Sequence, residues 1–301
     1  MAESWNEFTE QLGSVAGKWT AYAAFGSFLL YLLGYLTLRF QLATYGVATN
    51  LDLFDEKYLF AGCRFLVYLV SAVPNILIIL LILAAIGYLP YKLAPASLKD
   101  VVKRRVSQWC AAPTHLPLLG VVLAVAMIQF VLRRAFAFGN LLLRKELPDE
   151  WLSAMLLASD GKVSLYFSGL VAGTLVSGCI LVYVLRHETA STASSRFWLG
   201  LLVFLFAVEF LLLPVNYGVL ISTQQIPRVA EISGEPAAPG QTAWMLWDSK
   251  EAVVYFVRDA AELRMIVTVP KKDAPLRIVA NDDIFCTLFG GNGAQFRPCP
   301  R

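Results

Sequence analysis

The apolar residues of this chain are gathered into five long runs, and that clustering decides the fold class before any motif is considered. At about 1.5 Å of rise per helical residue, some 20 residues cross the roughly 30 Å hydrocarbon core of a bilayer. The runs cover 19–38, 59–89, 116–132, 165–185 and 197–221, and Arg39, Arg133 with Arg134, and Arg186 close the first, third and fourth. Backbone groups inside hydrocarbon must be bonded within the protein, so runs of this length read as helices. The expected class is an α-helical multi-pass membrane protein with about five transmembrane helices. Composition agrees, since 57% of the residues are hydrophobic and 16% charged, against about a quarter charged in a soluble domain. Run 59–89 would be about 46 Å long as one straight helix, so it must tilt, kink or project.

The flanking segments differ in character. Residues 1–18 form an acidic tail, with Glu3, Glu7 and Glu10 where a cleaved secretory signal would carry bases, so the first run is expected to be retained. In the connection after the third run, Pro148, Asp149 and Glu150 precede Trp151, Leu152, Met155 and Leu156. That pattern predicts a short interfacial helix near 148–158, on the membrane surface or packed on the protein. From residue 222 onward, charge, Pro and Gly return. Residues 222–241 read as a linker and 242–301 as a small antiparallel β domain, a meander or barrel, with strands at 242–248, 252–258, 263–270 and 276–280 joined by connections of hairpin length.

Few residues inside the runs carry chemistry. Glu209 lies near the middle of the fifth run, where a carboxylate needs pairing, solvation or protonation. Arg64, early in the second run, is the candidate partner, as a transport site or as a structural ion pair. The same two runs hold the helix interruptions Pro74 with Asn75 and Pro214 with Asn216. In the fourth run Gly169, Gly173 and Ser177 follow a four-residue step that predicts a helix-packing face. Asn50, Asp52, Asp55 and Glu56 precede a helix start and read as caps rather than as a cation site. His115 and His187 read as interfacial residues, and no cofactor or metal is expected. Gly290, Gly291, Asn292 and Gly293 read as a turn, lacking the spacing of a phosphate loop.

Function is therefore expected to lie outside catalysis. The chain has no nucleophile elbow, no zinc-protease pair of histidines and no Cys-x-x-Cys. Its net charge of +3 is too small to indicate a nucleic-acid partner. The expected role is a non-enzymatic accessory, scaffold or sensor component of the cell membrane that anchors the β domain and packs with other membrane subunits or with its own copies. The alternative is an ion- or proton-coupled transporter or channel using Glu209 and Arg64. Lys and Arg near the runs divide eight against eight across the bilayer, so the positive-inside count is tied. The Lys103-Arg104-Arg105 cluster tilts the choice toward an inside N-terminus with the β domain outside, where Cys286 and Cys299 can form a disulfide.

Overall fold

A computed structural model describes residues 2–47, 56–111, 115–144, 156, 160–187, 193–222, 225–232, 235–259, 261, 263–271 and 277–289. The helices are α1 (Ala2–Tyr45), α2 (Glu56–Ser71), α3 (Val73–Leu93), α4 (Ala96–Ala111), α5 (His115–Ala137), α6 (Asp160–His187) and α7 (Ala193–Leu220). A 3-10 turn at Leu141–Leu143 follows α5. Strands β1 (Gln225–Val229), β2 (Glu231–Ile232), β3 (Glu235–Pro236), β4 (Thr242–Asp248), β5 (Ala252–Arg258), β6 (Arg264–Pro270) and β7 (Ile278–Asp283) come next, with α8 (Ile284–Phe289) last. Among the described residues, five helical segments are long and apolar enough to cross a membrane: Lys18–Tyr45, Val73–Leu93, His115–Ala137, Gly161–Arg186 and Arg196–Leu220. They suggest membrane association. The apolar surface of α3 points the same way, with Leu77, Ile78, Leu81, Ile82 and Ile86 all exposed.

Several expected boundaries move for identifiable reasons. The acidic segment 1–18 continues α1 rather than forming a separate tail. Run 59–89 is two helices, because Pro74 has no N–H to give Val70 and therefore sits in the first turn of α3 instead of inside one long helix. Ser71 Oγ donates to Tyr68 O at 2.7 Å beside the break. Pro214, in contrast, stays inside α7, which runs on to Leu220. The carbonyl of Pro214 accepts from Thr37 Oγ1 at 3.3 Å, and Asn216 Nδ2 donates to Leu212 O at 3.1 Å, so side chains serve the backbone around this proline. The Lys103-Arg104-Arg105 cluster lies in helix α4 with its side chains exposed, where a loop had been expected.

Single glycines set the distances between helices. A Cβ built on Gly34 would fall 2.7 Å from Gly62 N, and one on Gly62 would fall 2.9 Å from the Leu30 carbonyl carbon, so α1 and α2 cross backbone to backbone. Gly218 plays the same part for α7 against α1, since its Cβ would lie 3.0 Å from the Thr37 carbonyl carbon.

The segment read as a linker contains β1, a central strand. The five-stranded sheet has the order β6-β5-β4-β1-β7, with all neighbours antiparallel: a meander whose last strand returns to pair with its first. Pro227 is tolerated because β1 pairs with β4 only at Arg228 and Val229, so at Pro227 the strand has β7 alone beside it. Strands β4 and β5 match their expected limits. Strand β6 begins at Arg264, while β7 covers Ile278–Asp283 instead of 276–280.

The sheet sits against the end of the helical bundle. Trp244, Val254 and Phe256 on one sheet face join Leu42, Tyr45, Leu141, Leu142, Val219 and Leu220 in one buried apolar cluster. Val229, Ala243, Val253, Tyr255 and Val257 form a second cluster on the opposite face. Helix α1 stops where this junction begins: Gly46 takes φ +82°, and Val47 N donates back to Leu42 O at 2.9 Å, a left-handed C-terminal cap. Gln41 and Ser222 then lock the ends of α1 and α7 reciprocally, with Gln41 Nε2 donating to Ser222 O at 2.9 Å and Ser222 Oγ donating to Gln41 Oε1 at 2.9 Å.

The crossing of α1 and α2 is open to a direct check. Gly34→Ala should destabilise the protein by roughly 1–3 kcal/mol, because two backbones and not a mobile side chain must separate. Gly26, which has no atom within 4 Å of its missing Cβ, is the control. Thermal melting in detergent should show a lowered apparent midpoint for Gly34→Ala and no loss for Gly26→Ala.

Candidate functional site

Glu209 is the one carboxylate among the described residues to be buried within the apolar helices; it is 3% exposed. It projects from α7 toward α6, where Ser177 Oγ donates to its Oε1 at 3.4 Å. Thr174, one turn earlier on α6, faces the same carboxyl. The Thr174 hydroxyl gives its hydrogen to Leu170 O at 3.1 Å, and Glu209 Oε2 is left without a partner. The site is thus a carboxyl held by one long side-chain bond in an apolar helix interface. A hydroxyl at this spacing orients an acid without neutralising it.

The expected ion pair with Arg64 does not form. Arg64 is exposed on α2 and faces Tyr217, which lies about 12 Å further along α7 than Glu209. Tyr217 belongs to an aromatic cluster in which it meets Phe65 at 5.5 Å, Tyr68 at 5.1 Å and Phe167 at 6.3 Å, tying α2, α6 and α7 together. The two charges therefore occupy different levels of the bundle. The apolar run holding Arg64 begins at Leu59, yet α2 starts beside the β-sheet: Lys57 donates to Asp248 O and lies 4.8 Å from the Trp247 ring centroid.

The small-residue step on α6 also divides its roles. Ser177 is the carboxyl's donor. Gly173 makes room for Met127 of α5, whose Cε lies 2.5 Å from the built Cβ, and Gly169 has nothing within 4 Å. Close backbone approach falls instead to Gly34, Gly62 and Gly218, which belong to no four-residue step. Their signal in the sequence is weaker: isolated glycines inside long apolar runs. Pro74 marks a helix boundary and Asn75 follows it in α3, while Pro214 O accepts from Thr37 of α1 and Asn216 bonds back to Leu212 O within α7.

Other expected residues lie elsewhere. Cys286, in α8, is disulfide-bonded; Cys299 lies outside the described residues, as do Asn50, Asp52, Asp55 and Gly290–Gly293. Glu56 occupies the first turn of α2, in keeping with a capping role. Of the helix expected near 148–158, Leu156 is described, and it is buried in the cluster that joins the bundle to the sheet. His115 begins α5 and His187 ends α6. Among the described residues no group of three or more His, Cys, Asp or Glu is placed to hold a metal ion.

Protein-family models, curated proteins and solved structures give no match to this chain.

The geometry around Glu209 separates packing from charge. Glu209→Gln keeps an acceptor for Ser177 and should melt within about 0.5 kcal/mol of the parent, whereas Ser177→Ala strands Oε1 and should cost about 1–3 kcal/mol. Thermal melting of the purified variants reads both.

Proposed function

We propose that this chain is a non-enzymatic membrane component, a scaffold or sensor subunit, that holds its β-sheet rigidly at one face of the bilayer for contact with a partner protein. The observation that carries this reading is the buried cluster in which Trp244 and Phe256 of the sheet pack between Leu42 and Tyr45 of α1 and Val219 and Leu220 of α7. A sheet joined in this way shares the orientation of the helices, which suits presentation of a fixed surface. Ile278 and Val279 of the outer strand β7 are 53% and 58% exposed, an apolar stretch on a sheet edge suited to protein contact. The transporter alternative would need Glu209 and Arg64 on a shared polar route. The carboxyl's burial against Ser177 and the separate level of Arg64 favour the scaffold.

The same reading puts the N-terminus inside and the sheet outside. On the sheet side, Arg134 is buried over the Phe130 ring and Lys57 lies against Trp247, which leaves Arg39, Arg133 and Lys162 exposed. On the far side, Lys103, Arg104 and Arg105 of α4 stand exposed, as do Arg186 and Arg196. A positive-inside rule driven by charges next to the membrane then favours the α4 side as cytoplasmic. The disulfide at Cys286 fits an oxidising compartment for the sheet.

Two measurements test the proposal. Phe256→Ala should cost about 3–5 kcal/mol at the junction and let limited proteolysis release the C-terminal segment from an intact helical core. An undocked sheet in the parent protein, cleaved as readily as in the variant, would remove the argument. Lys250→Cys should react with a membrane-impermeant maleimide on intact cells, and Lys103→Cys only after permeabilisation; the reverse pattern would invert the orientation.

A further inference from the structure

A cleft of about 580 Å³ runs along α6 from Val171 to Arg186, with Leu69 of α2 on one wall and Phe206, Phe210 and Leu213 of α7 on the other. Its volume lies in the range of small-molecule sites, about 300–1,000 Å³. Along the helix axis, Val171 to Arg186 spans about 22 Å, more than half of a roughly 30 Å hydrocarbon core. The lining is apolar for most of that length; Thr174 is polar toward the deep end, and Tyr183 and Arg186 lie at the end where α6 leaves the apolar zone. Arg186 is exposed and makes no ion pair with any described residue. The cleft is therefore long and apolar, and Arg186 is the one cation among its described lining residues.

We infer that this cleft binds one acyl chain of an anionic phospholipid, whose headgroup phosphate rests on Arg186. The guanidinium offers a planar fork of donors that matches phosphate geometry, which an ammonium does not. Leu69, Leu175, Val182, Phe206 and Phe210 supply the walls that a hydrocarbon chain fills. A transmembrane helix of another subunit is a poorer occupant. Such helices seat on small residues that let backbones approach, and at Gly178 that space is already taken by the Phe206 ring, 3.1 Å from the position of a Cβ. The proposal is independent of the scaffold reading, because the cleft is lined by α2, α6 and α7 and by no residue of the sheet.

Native mass spectrometry of the full chain, released from nanodiscs of equal phosphatidylglycerol and phosphatidylcholine, tests the inference. The parent should retain one phosphatidylglycerol in preference to phosphatidylcholine. Arg186→Ala should weaken that retention about fivefold, the effect of one lost charge contact at a membrane surface. Cys179→Trp, which fills the cleft from an exposed lining position, should abolish retention while leaving Arg186 in place. Arg186→Ala should leave the circular-dichroism spectrum and apparent melting temperature unchanged, so that lost lipid is not lost fold. Equal retention of both lipids, unchanged retention in the two variants, or a Cys179-dependent disulfide dimer on oxidation in a Cys63→Ser background would each overturn the assignment.

Discussion

The architecture depends on one apolar junction, where the ends of α1 and α7 and the turn after α5 are buried together with one face of the sheet. Burial of a large aromatic side chain yields a few kcal/mol, and several are concentrated here: Tyr45, Phe138, Trp244 and Phe256. Polar groups around this cluster act as guides. The reciprocal bonds of Gln41 and Ser222 hold two helix ends side by side, so the chain enters β1 at a fixed point. Arg264 donates to the carbonyl of Arg144 and, at 2.7 Å, to that of Leu288, which ties β6 to the turn after α5 and to α8. Without the junction, the helices would keep their own contacts at Gly34, Gly62 and Gly218, but the sheet would have no reason to keep any particular orientation.

The long apolar runs and the alternating strands were legible because each is a local pattern: length in one case, a period of two in the other. Strands β4 and β5 come out at their expected limits for that reason. Strand β1 was not legible, since Gln225, Ile226, Pro227, Arg228 and Val229 include a proline and do not alternate cleanly. What makes this segment a strand is non-local. Its neighbours β4 and β7 come from later in the chain, and β7 alone pairs with it at Pro227. The break before Pro74 follows a local rule, but its outcome as two helices depends on where α2 begins, and Lys57 against Trp247 and Asp248 settles that from the far side of the sequence.

The candidate site shows the same division. A carboxylate in the middle of an apolar run is conspicuous from residue type alone, and Glu209 is buried as that position implies. Charge complementarity points to Arg64 as its partner, but Arg64 stands at the level of Tyr217, about two turns away along α7. A hydroxyl at Ser177 answers it instead, and Ser177 carries no charge to advertise the contact. The packing glycines were missed for a related reason: Gly34, Gly62 and Gly218 each meet a neighbouring backbone singly, without the repeated four-residue step that marks a packing face in sequence.

Charge placement ties these observations together. At the surface of an apolar helix bundle a base can hold the protein together or stand exposed, and the two ends of this molecule differ in how many they leave exposed: Arg39, Arg133 and Lys162 near the sheet, against Lys18, Lys92, Lys103, Arg104, Arg105, Arg186 and Arg196 at the other end. Near the sheet, Lys57 and Arg134 lie against the Trp247 and Phe130 rings, and Arg264 bonds main-chain carbonyls. At the other end, α4 presents Lys103, Arg104 and Arg105 outward, with Leu98, Val101 and Val102 exposed on the same helix. A count of bases gives these ends equal weight, although only bases left at the membrane surface contribute to an electrostatic preference for one leaflet. The tie in the sequence is therefore a tie in number and not in available charge, and the end bearing α4 holds the larger share of the latter.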